Sequence, residues 1–287
     1  MAQVATYNTH LLPAIALPFA GKRSAAAYRS KRIAEVLAEY NLIGLCEVFD
    51  RVCRRMLIET LQSESGDAFH FAQGPARSGR HLTNSGLLLC SRFPISARNE
   101  ITYRSASRYI THGFKADSFA AKGALHVRLQ VEAELELDCF LTHLESQSVR
   151  ARGQQVAEFC SFVRKHQDAS KPLLILGDFN IAFSESRDAG PRAEYVSLLG
   201  QLRELRSTSI QDVNLTPAKG PSGTSDALAD DGAARIDYIF FSAAEVKHSS
   251  SLTLDQAEHI RFLDEQVPEG SLSDHLAVSS KLKSSKL

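Results

Sequence analysis

Leu173-Leu174-Ile175-Leu176-Gly177-Asp178-Phe179-Asn180 sets the reading of the whole chain. Its four aliphatic residues form a short continuous hydrophobic run, the pattern of a buried strand. Asp178 and Asn180 then stand two residues apart, so in extended backbone they point to the same side. About a hundred residues later, Ser273-Asp274-His275 stands directly before Leu276-Ala277-Val278, a second apolar run of strand type. A carboxylate, an amide and a carboxylate–imidazole pair at strand ends point to metal-assisted hydrolysis of phosphate esters.

Outward from these two junctions the chain alternates between the two hydrophobic periods. Ser24–Tyr40 reads as an amphipathic helix, with Ile33, Val36, Leu37 and Tyr40 on one face; Leu42–Leu45 follows as a short buried strand. Gly86–Cys90 is a further strand, stopped at Phe93-Pro94. Leu125, Val127, Leu129 and Val131 alternate with His126, Arg128 and Gln130, the period of a half-buried strand, and Leu135–Leu141 is its expected hairpin partner. Gln154–Lys165 and Pro191–Leu205 read as helices and Ile236–Phe241 as a strand. Lys219–Gly232, rich in Gly, Ser, Asp and Ala, is expected to be a mobile loop, and Ser279–Leu287 a polar Ser/Lys tail. Antiparallel-looking strands with a few helices favour an α/β sandwich over a doubly wound parallel sheet. With no repeat and no break in composition, residues 1–287 are expected to form a single catalytic domain.

The bulk properties narrow the partners. Thirty-three basic and 33 acidic residues give a net charge of zero. This argues against affinity built from many phosphate contacts along nucleic acid, which requires a basic excess. Five cysteines without CxxC spacing resemble neither a disulfide framework nor a zinc site, and the hydrophobic setting of Cys90, Cys139 and Cys160 marks them as small core residues. No stretch approaches a membrane span, and no charged n-region precedes an apolar h-region. The expectation is a cytoplasmic monomer, or a secreted one if a signal peptide preceded this sequence.

Six places offer polar residues beside strands: Asn8 within Tyr7-Asn8-Thr9-His10, Glu47, His143, the Asp178/Asn180 pair, Asp237 and the Asp274/His275 pair. Taken singly, each has an ordinary explanation as a turn, a cap or a solvated strand end; together they suit phosphodiester hydrolysis. A hard ion such as Mg²⁺, with Mn²⁺ as the alternative, takes oxygen ligands and keeps several waters, a need that Glu47 and Asn8 meet. His275, held in one tautomer by a carboxylate, can take a proton from attacking water. Asp178 and Asn180 can orient that water or bind phosphoryl oxygens, and His143 can donate to the developing charge.

The ordered set Asn8, Glu47-Val48, Thr142-His143, Gly177-Asp178-Phe179-Asn180, Ile236-Asp237-Tyr238 and Ser273-Asp274-His275 resembles the endonuclease/exonuclease/phosphatase superfamily, which includes DNase I-like enzymes. The resemblance implies a four-layered α/β sandwich of two packed, mainly antiparallel sheets flanked by helices. It also implies Mg²⁺ dependence and in-line attack by water. Within the superfamily, several segments look most like neutral sphingomyelinases. They are Thr6–Pro13, Glu47-Val48-Phe49-Asp50, Ser91–Ile95, Thr142-His143-Leu144 and Ala116–Gly123, the last carrying Asp117-x-Phe119-x-x-Lys122-Gly123. By that resemblance Glu47 and Asn8 hold the metal, His275 is the general base with Asp237 as its partner, Asp274 lies close to the metal, and Lys122 contacts phosphate.

Two departures stand out. Cys46 occupies the position where the family usually has Gln or Asn, and the chain has no Trp. Secreted bacterial sphingomyelinases resemble one another in an aromatic membrane-entering hairpin; the corresponding region here, between Phe241 and Ser271, is polar. The reading that results is a sphingomyelinase-like phospholipase C acting on a phospholipid head group, with peripheral membrane contact. The alternative is a nuclease acting on DNA or RNA, for which Arg51, Arg54, Arg55, Arg150 and Arg152 are the local hints. A non-catalytic binding protein on the same fold would have eroded at least one of the six positions, and none is eroded.

Overall fold

The computed structural model describes residues 1–12, 25–66, 69–77, 79, 81–107, 120–184, 190–246 and 250–286. One sheet runs β11 (Ser250–Leu254), β13 (Ala277–Lys286), β1 (Ala2–Leu11), β2 (Leu42–Val48), β4 (Leu88–Ser91), β3 (His70–Gln73), with β12 (Glu258–Ile260) also paired to β13. The second runs β5 (Ile95–Thr102), β6 (Gly123–Glu132), β7 (Leu135–His143), β8 (Leu173–Asp178), β10 (Asp237–Ser242), β9 (Gln211–Asp212). Among the described pairings only β1/β2 and β7/β8 are parallel, so both sheets are mainly antiparallel.

Among the described residues, four helices complete the layers. α1 (Ala26–Leu37) and α2 (Arg51–Ser65) cover the first sheet: Ile33, Leu37, Leu57 and Leu61 pack on Tyr7, Ile43, Leu45 and Leu88. α3 (Val149–His166) and α4 (Ala193–Arg203) cover the second, with Phe159, Val163, Leu198 and Leu202 against Phe140, Ile175 and Phe240. Between the sheets lies the central core, where Val4, Leu42, Leu89 and Val278 meet Leu125, Leu141, Leu174 and Ile239. The order helix, sheet, sheet, helix is the DNase I-like sandwich. Local chemistry fixes the helix starts. The Asp50 carboxylate accepts from the backbone N–H of Val52 and Cys53 at 2.8 and 2.9 Å, and Ser148 accepts from Ala151.

Strand register carries the consequence for function. The parallel β7/β8 pairing sets His143 beside Asp178, and the antiparallel β8/β10 pairing sets Asp178 opposite Asp237. Gly177 makes that first pairing close: at φ 141° it lies so near β7 that a Cβ would sit 1.9 Å from the Thr142 carbonyl oxygen.

Three expectations are corrected. The Ser/Lys run after Leu276 is not a tail; it is β13, hydrogen-bonded to β1, β11 and β12. Its serines are tolerated because Val278 and Leu282 supply the inward face. β6 is not half-buried at His126, which is 1% exposed and stacked on Phe140, because α3 covers the face that was expected to meet water. Lys219–Gly232 is pinned on itself, Gly223 N–H donating to the Asp231 carbonyl and Thr224 N–H to the Ala234 carbonyl, both at 2.8 Å. Among the described residues no helix is long and apolar enough to cross a membrane.

Candidate active site

The ends of β1, β2, β7, β8 and β10 and the loop before β13 meet at one edge of the two sheets. Three non-glycine residues there adopt left-handed backbone: His10 (φ 49°), Glu47 (φ 59°) and Asn180 (φ 52°). Such conformations are costly for side-chain-bearing residues and concentrate at functional sites. Asp178 offsets part of that cost at Asn180 by accepting its N–H at 2.9 Å, while the Asn180 side-chain amide donates to the Leu144 carbonyl.

The six sequence positions converge. Asn8 donates through Nδ2 to Asp178 Oδ2 at 2.9 Å, both residues being buried. His275 Nδ1 lies 2.8 Å from Asp237 Oδ2, and its Nε2 lies 4.0 Å from Asp178 Oδ2. His143 Nε2 lies 3.5 Å from Asp178 Oδ2 and 3.8 Å from Glu47 Oε1. Asp274 reaches the same edge through His10, whose Nδ1 is 3.0 Å from Asp274 Oδ2 and 3.6 Å from Glu47 Oε2. Lys122 arrives from the position just before β6: its ammonium donates to His143 Nε2 at 2.7 Å and to the Leu144 carbonyl at 3.0 Å. Residues 116–119 of the segment that includes Lys122 lie outside the described residues, as does Pro13.

Electrostatics divide the two histidines. Burial, the Lys122 ammonium and the His275 charge push His143 well below the ordinary imidazole range, so it is neutral. Because an ammonium only donates, Nε2 of His143 accepts from Lys122 and its proton sits on Nδ1, a buried atom with no hydrogen-bond partner. For His275 burial works in the opposite sense to its neighbours. The charge and hydrogen bond of Asp237, then Asp178 and Asp274, prevail and raise it to about 10. Burial and the adjacent Asp237 hold the Asp178 carboxyl well above the usual carboxylate range.

A divalent cation has two candidate seats. Glu47 Oε2 is buried with no hydrogen-bond partner, and Asn8 Oδ1 accepts only a 3.1 Å bond from the His10 N–H. With Asp274 nearby this is a set of hard oxygen donors that fits Mg²⁺ or Mn²⁺. Asp178, Asp237 and His275 also bring ligand atoms within 4.8 Å of one another. There the imidazole is already engaged by Asp237, which suits an acid–base pair better than a ligand set.

Sequence reasoning missed several supporting residues. Thr224, fully buried, accepts through Oγ1 from the N–H groups of Ile236 and Asp237, both at 3.0 Å. Ser273 donates to the Asn8 carbonyl at 2.7 Å and joins the two site-bearing segments. Arg29, also fully buried, donates from α1 to the carbonyls of Thr9, His10 and Leu272. In the sequence nothing separates Arg29 from Lys31 and Arg32 of the same helix; its burial emerges only in the fold. Cys46, at the position of the family's amide, is buried and lies 3.6 Å from the Thr142 carbonyl, tying the sheets together. All five cysteines are buried and free.

A two-sheet α/β sandwich whose strand ends gather carboxylates, an amide and an Asp–His pair at one edge defines a metal-dependent phosphoester hydrolase. The chain belongs to the endonuclease/exonuclease/phosphatase family, whose sequence model matches residues 5–275. Among curated protein sequences none matches significantly. Solved structures with the same fold include beta toxin from Staphylococcus aureus, at 15% identity over 99% of this chain and 100% of that one, with a TM-score of 0.74. Sphingomyelinase C from Streptomyces griseocarneus aligns at 18% identity over 97% and 98%, with a TM-score of 0.69. A mutant beta toxin from Staphylococcus aureus with bound magnesium ions aligns at 15% identity over 98% and 99%, with a TM-score of 0.70.

Proposed function

We propose that the protein is a sphingomyelinase-like phospholipase C, hydrolysing the phosphodiester between a phospholipid head group and its lipid backbone. The observation that carries the chemistry is the 2.8 Å contact of His275 with Asp237, set beside Asn8, Glu47 and Asp178. The lipid assignment is supported by the segments around Asn8, Glu47, Lys122 and His143, and by the shared fold with a sphingomyelinase C.

Asp237 holds the Nδ1–H of His275, and Thr224 holds Asp237 in place through its backbone. Nε2 of His275 is thereby left on the Asp178 side, where the neutral imidazole takes the proton of the attacking water; a cation held at Glu47 and Asn8 would offset the carboxylate charge that otherwise keeps His275 protonated. Asp178, fixed by Asn8 and by the Asn180 N–H, accepts from that water and aligns it. Lys122 supplies positive charge to the developing phosphoryl oxygens, with neutral His143 orienting its ammonium; this places on Lys122 the donor role expected of His143. Glu47 and Asn8, with Asp274 close by, would hold a divalent cation, which would supply charge neutralisation on the phosphate and its leaving oxygen.

The nucleic-acid reading loses part of its basis. Arg152 is 6% exposed and bound to Glu194 and the Glu145 carbonyl, and Arg54 is bound to the Val48 carbonyl and Asn84. The test is hydrolysis of sphingomyelin in detergent micelles and of plasmid DNA side by side, with Mg²⁺ and with EDTA. Phosphocholine release abolished by EDTA is the expected result; DNA cleavage without lipid turnover would replace the lipid reading with the nuclease one.

A further inference from the structure

A cleft of about 1160 Å³ opens beside the catalytic edge, and its wall begins at Phe49, two residues after Glu47. It lies between the start of α2, the end of β3, the loop before β4, and β5. Five arginines line it, four of them exposed: Arg51, Arg55, Arg77 and Arg98. Arg51 and Arg55 are one turn apart on the same face of α2. Arg54 donates to the Val48 carbonyl and Arg98 to Glu100 and the Gln73 carbonyl, while Arg55 lies 3.9 Å from Glu59 and Arg77 donates through Nε to the His81 carbonyl, leaving its terminal nitrogens toward the cleft. Nothing in the proposed hydrolysis uses these guanidinium groups.

Two features describe the occupant. Asp50, Glu59 and Glu100 line the same cleft, so the basic charge is interrupted. A continuous polyanion would pass these carboxylates, whereas a head group that carries phosphate, carboxylate and ammonium together, as phosphatidylserine does, is complemented by both signs and keeps a net negative charge for the arginines. Two large apolar side chains also line the cleft and reach solvent, Val52 at 54% and Leu82 at 50% exposure. Arginines beside exposed aliphatic tips suit the polar–apolar boundary of a bilayer, where each basic residue adds attraction to an anionic leaflet.

We propose that this cleft is a second lipid site, taking the head group of an anionic phospholipid and docking the protein on a membrane with Glu47 close to the surface. The proposal rests on the lipid reading of the catalytic site. Binding is therefore measured in EDTA, where nothing is turned over. Failure of sphingomyelin hydrolysis then sinks that reading alone, and failure of binding sinks this one.

The experiment is co-sedimentation with phosphatidylcholine vesicles, with and without phosphatidylserine. The wild-type protein should bind the serine-containing vesicles at least about tenfold more tightly, and the preference should shrink as salt rises. The variant Arg51→Glu/Arg55→Glu/Arg77→Glu should lose the preference, and Val52→Asp/Leu82→Asp should weaken binding to both vesicles. Hydrolysis of soluble bis(p-nitrophenyl) phosphate with Mg²⁺ by both variants should match wild type and so establish their folding. Equal wild-type binding to the two vesicle types, or a preference unaffected by salt, overturns the proposal without any variant. So does a charge-reversed protein that keeps its vesicle preference while losing affinity for a single-stranded DNA oligonucleotide.

Discussion

Replacing His275 with Ala removes the imidazole that Asp237 orients while leaving the central core untouched. Turnover should fall roughly 10²–10⁴-fold, the range of general acid–base catalysis. The melting midpoint should fall, because Asp237 loses its imidazole partner, so turnover is compared at a temperature where circular dichroism shows both proteins folded; near-normal kcat there would remove His275 from the base role. Glu47→Gln tests the ion seat directly. Calorimetric titration with Mg²⁺ should show at least about a tenfold loss of affinity, since even partners outside the coordination sphere cost that much. Unchanged affinity would move the ion to the Asp178, Asp237 and His275 set. Most of the candidate site residues were legible in the sequence because they stand beside apolar runs, a local pattern, whereas Lys122 was legible only through the resemblance of its segment. Thr224, Ser273 and Arg29 were not assigned roles, because each acts through backbone groups brought near only by the fold.

Strand β8 is the element on which the site turns, and Gly177 is its vulnerable point. A methyl group there would meet the Thr142 carbonyl oxygen, so Gly177→Ala should force β7 and β8 apart and cost about 3 kcal/mol or more. Chemical denaturation would show it as a lowered midpoint, and an unchanged midpoint would contradict the described register. At the other end of β7, Asp138 is fully buried and bound by His126, Arg128 and the Asp168 N–H. Against burial, those bonds hold its carboxyl below the ordinary aspartate range. A folded pKa below the unfolded one means its contribution is present above about pH 4 and lost as pH falls through the folded value. Asp138→Asn should therefore lower the melting temperature at pH 7, and the gap to wild type should close in acid. A gap constant from pH 7 to below pH 4 would show that charge is not what Asp138 contributes. Sequence periodicity gave β6 and β7 as a hairpin but left His126 solvated, because the helix that covers it is distant in the chain.

At the scale of the whole molecule, the four layers follow from alternating helical and strand periods, and the family match over residues 5–275 agrees with that reading. The exception is β13, whose Ser and Lys content resembles a tail although it lies between β11 and β1. Composition outweighed the weaker period-two signal of Val278, Ser280 and Leu282. Removing residues 277–287 should abolish cooperative thermal unfolding instead of trimming a loose end, because three strands would lose their partner. A truncated protein with a sharp transition would refute that placement. The same strand imposes an order on synthesis. A nascent chain that has emerged as far as Asp178 already carries Asn8, Glu47 and His143. It still has neither the imidazole base nor the strand that closes the first sheet. Half of the site must therefore wait at the ribosome for Asp237, Asp274 and His275, and the hydrolase is silent until the chain has been made beyond residue 286.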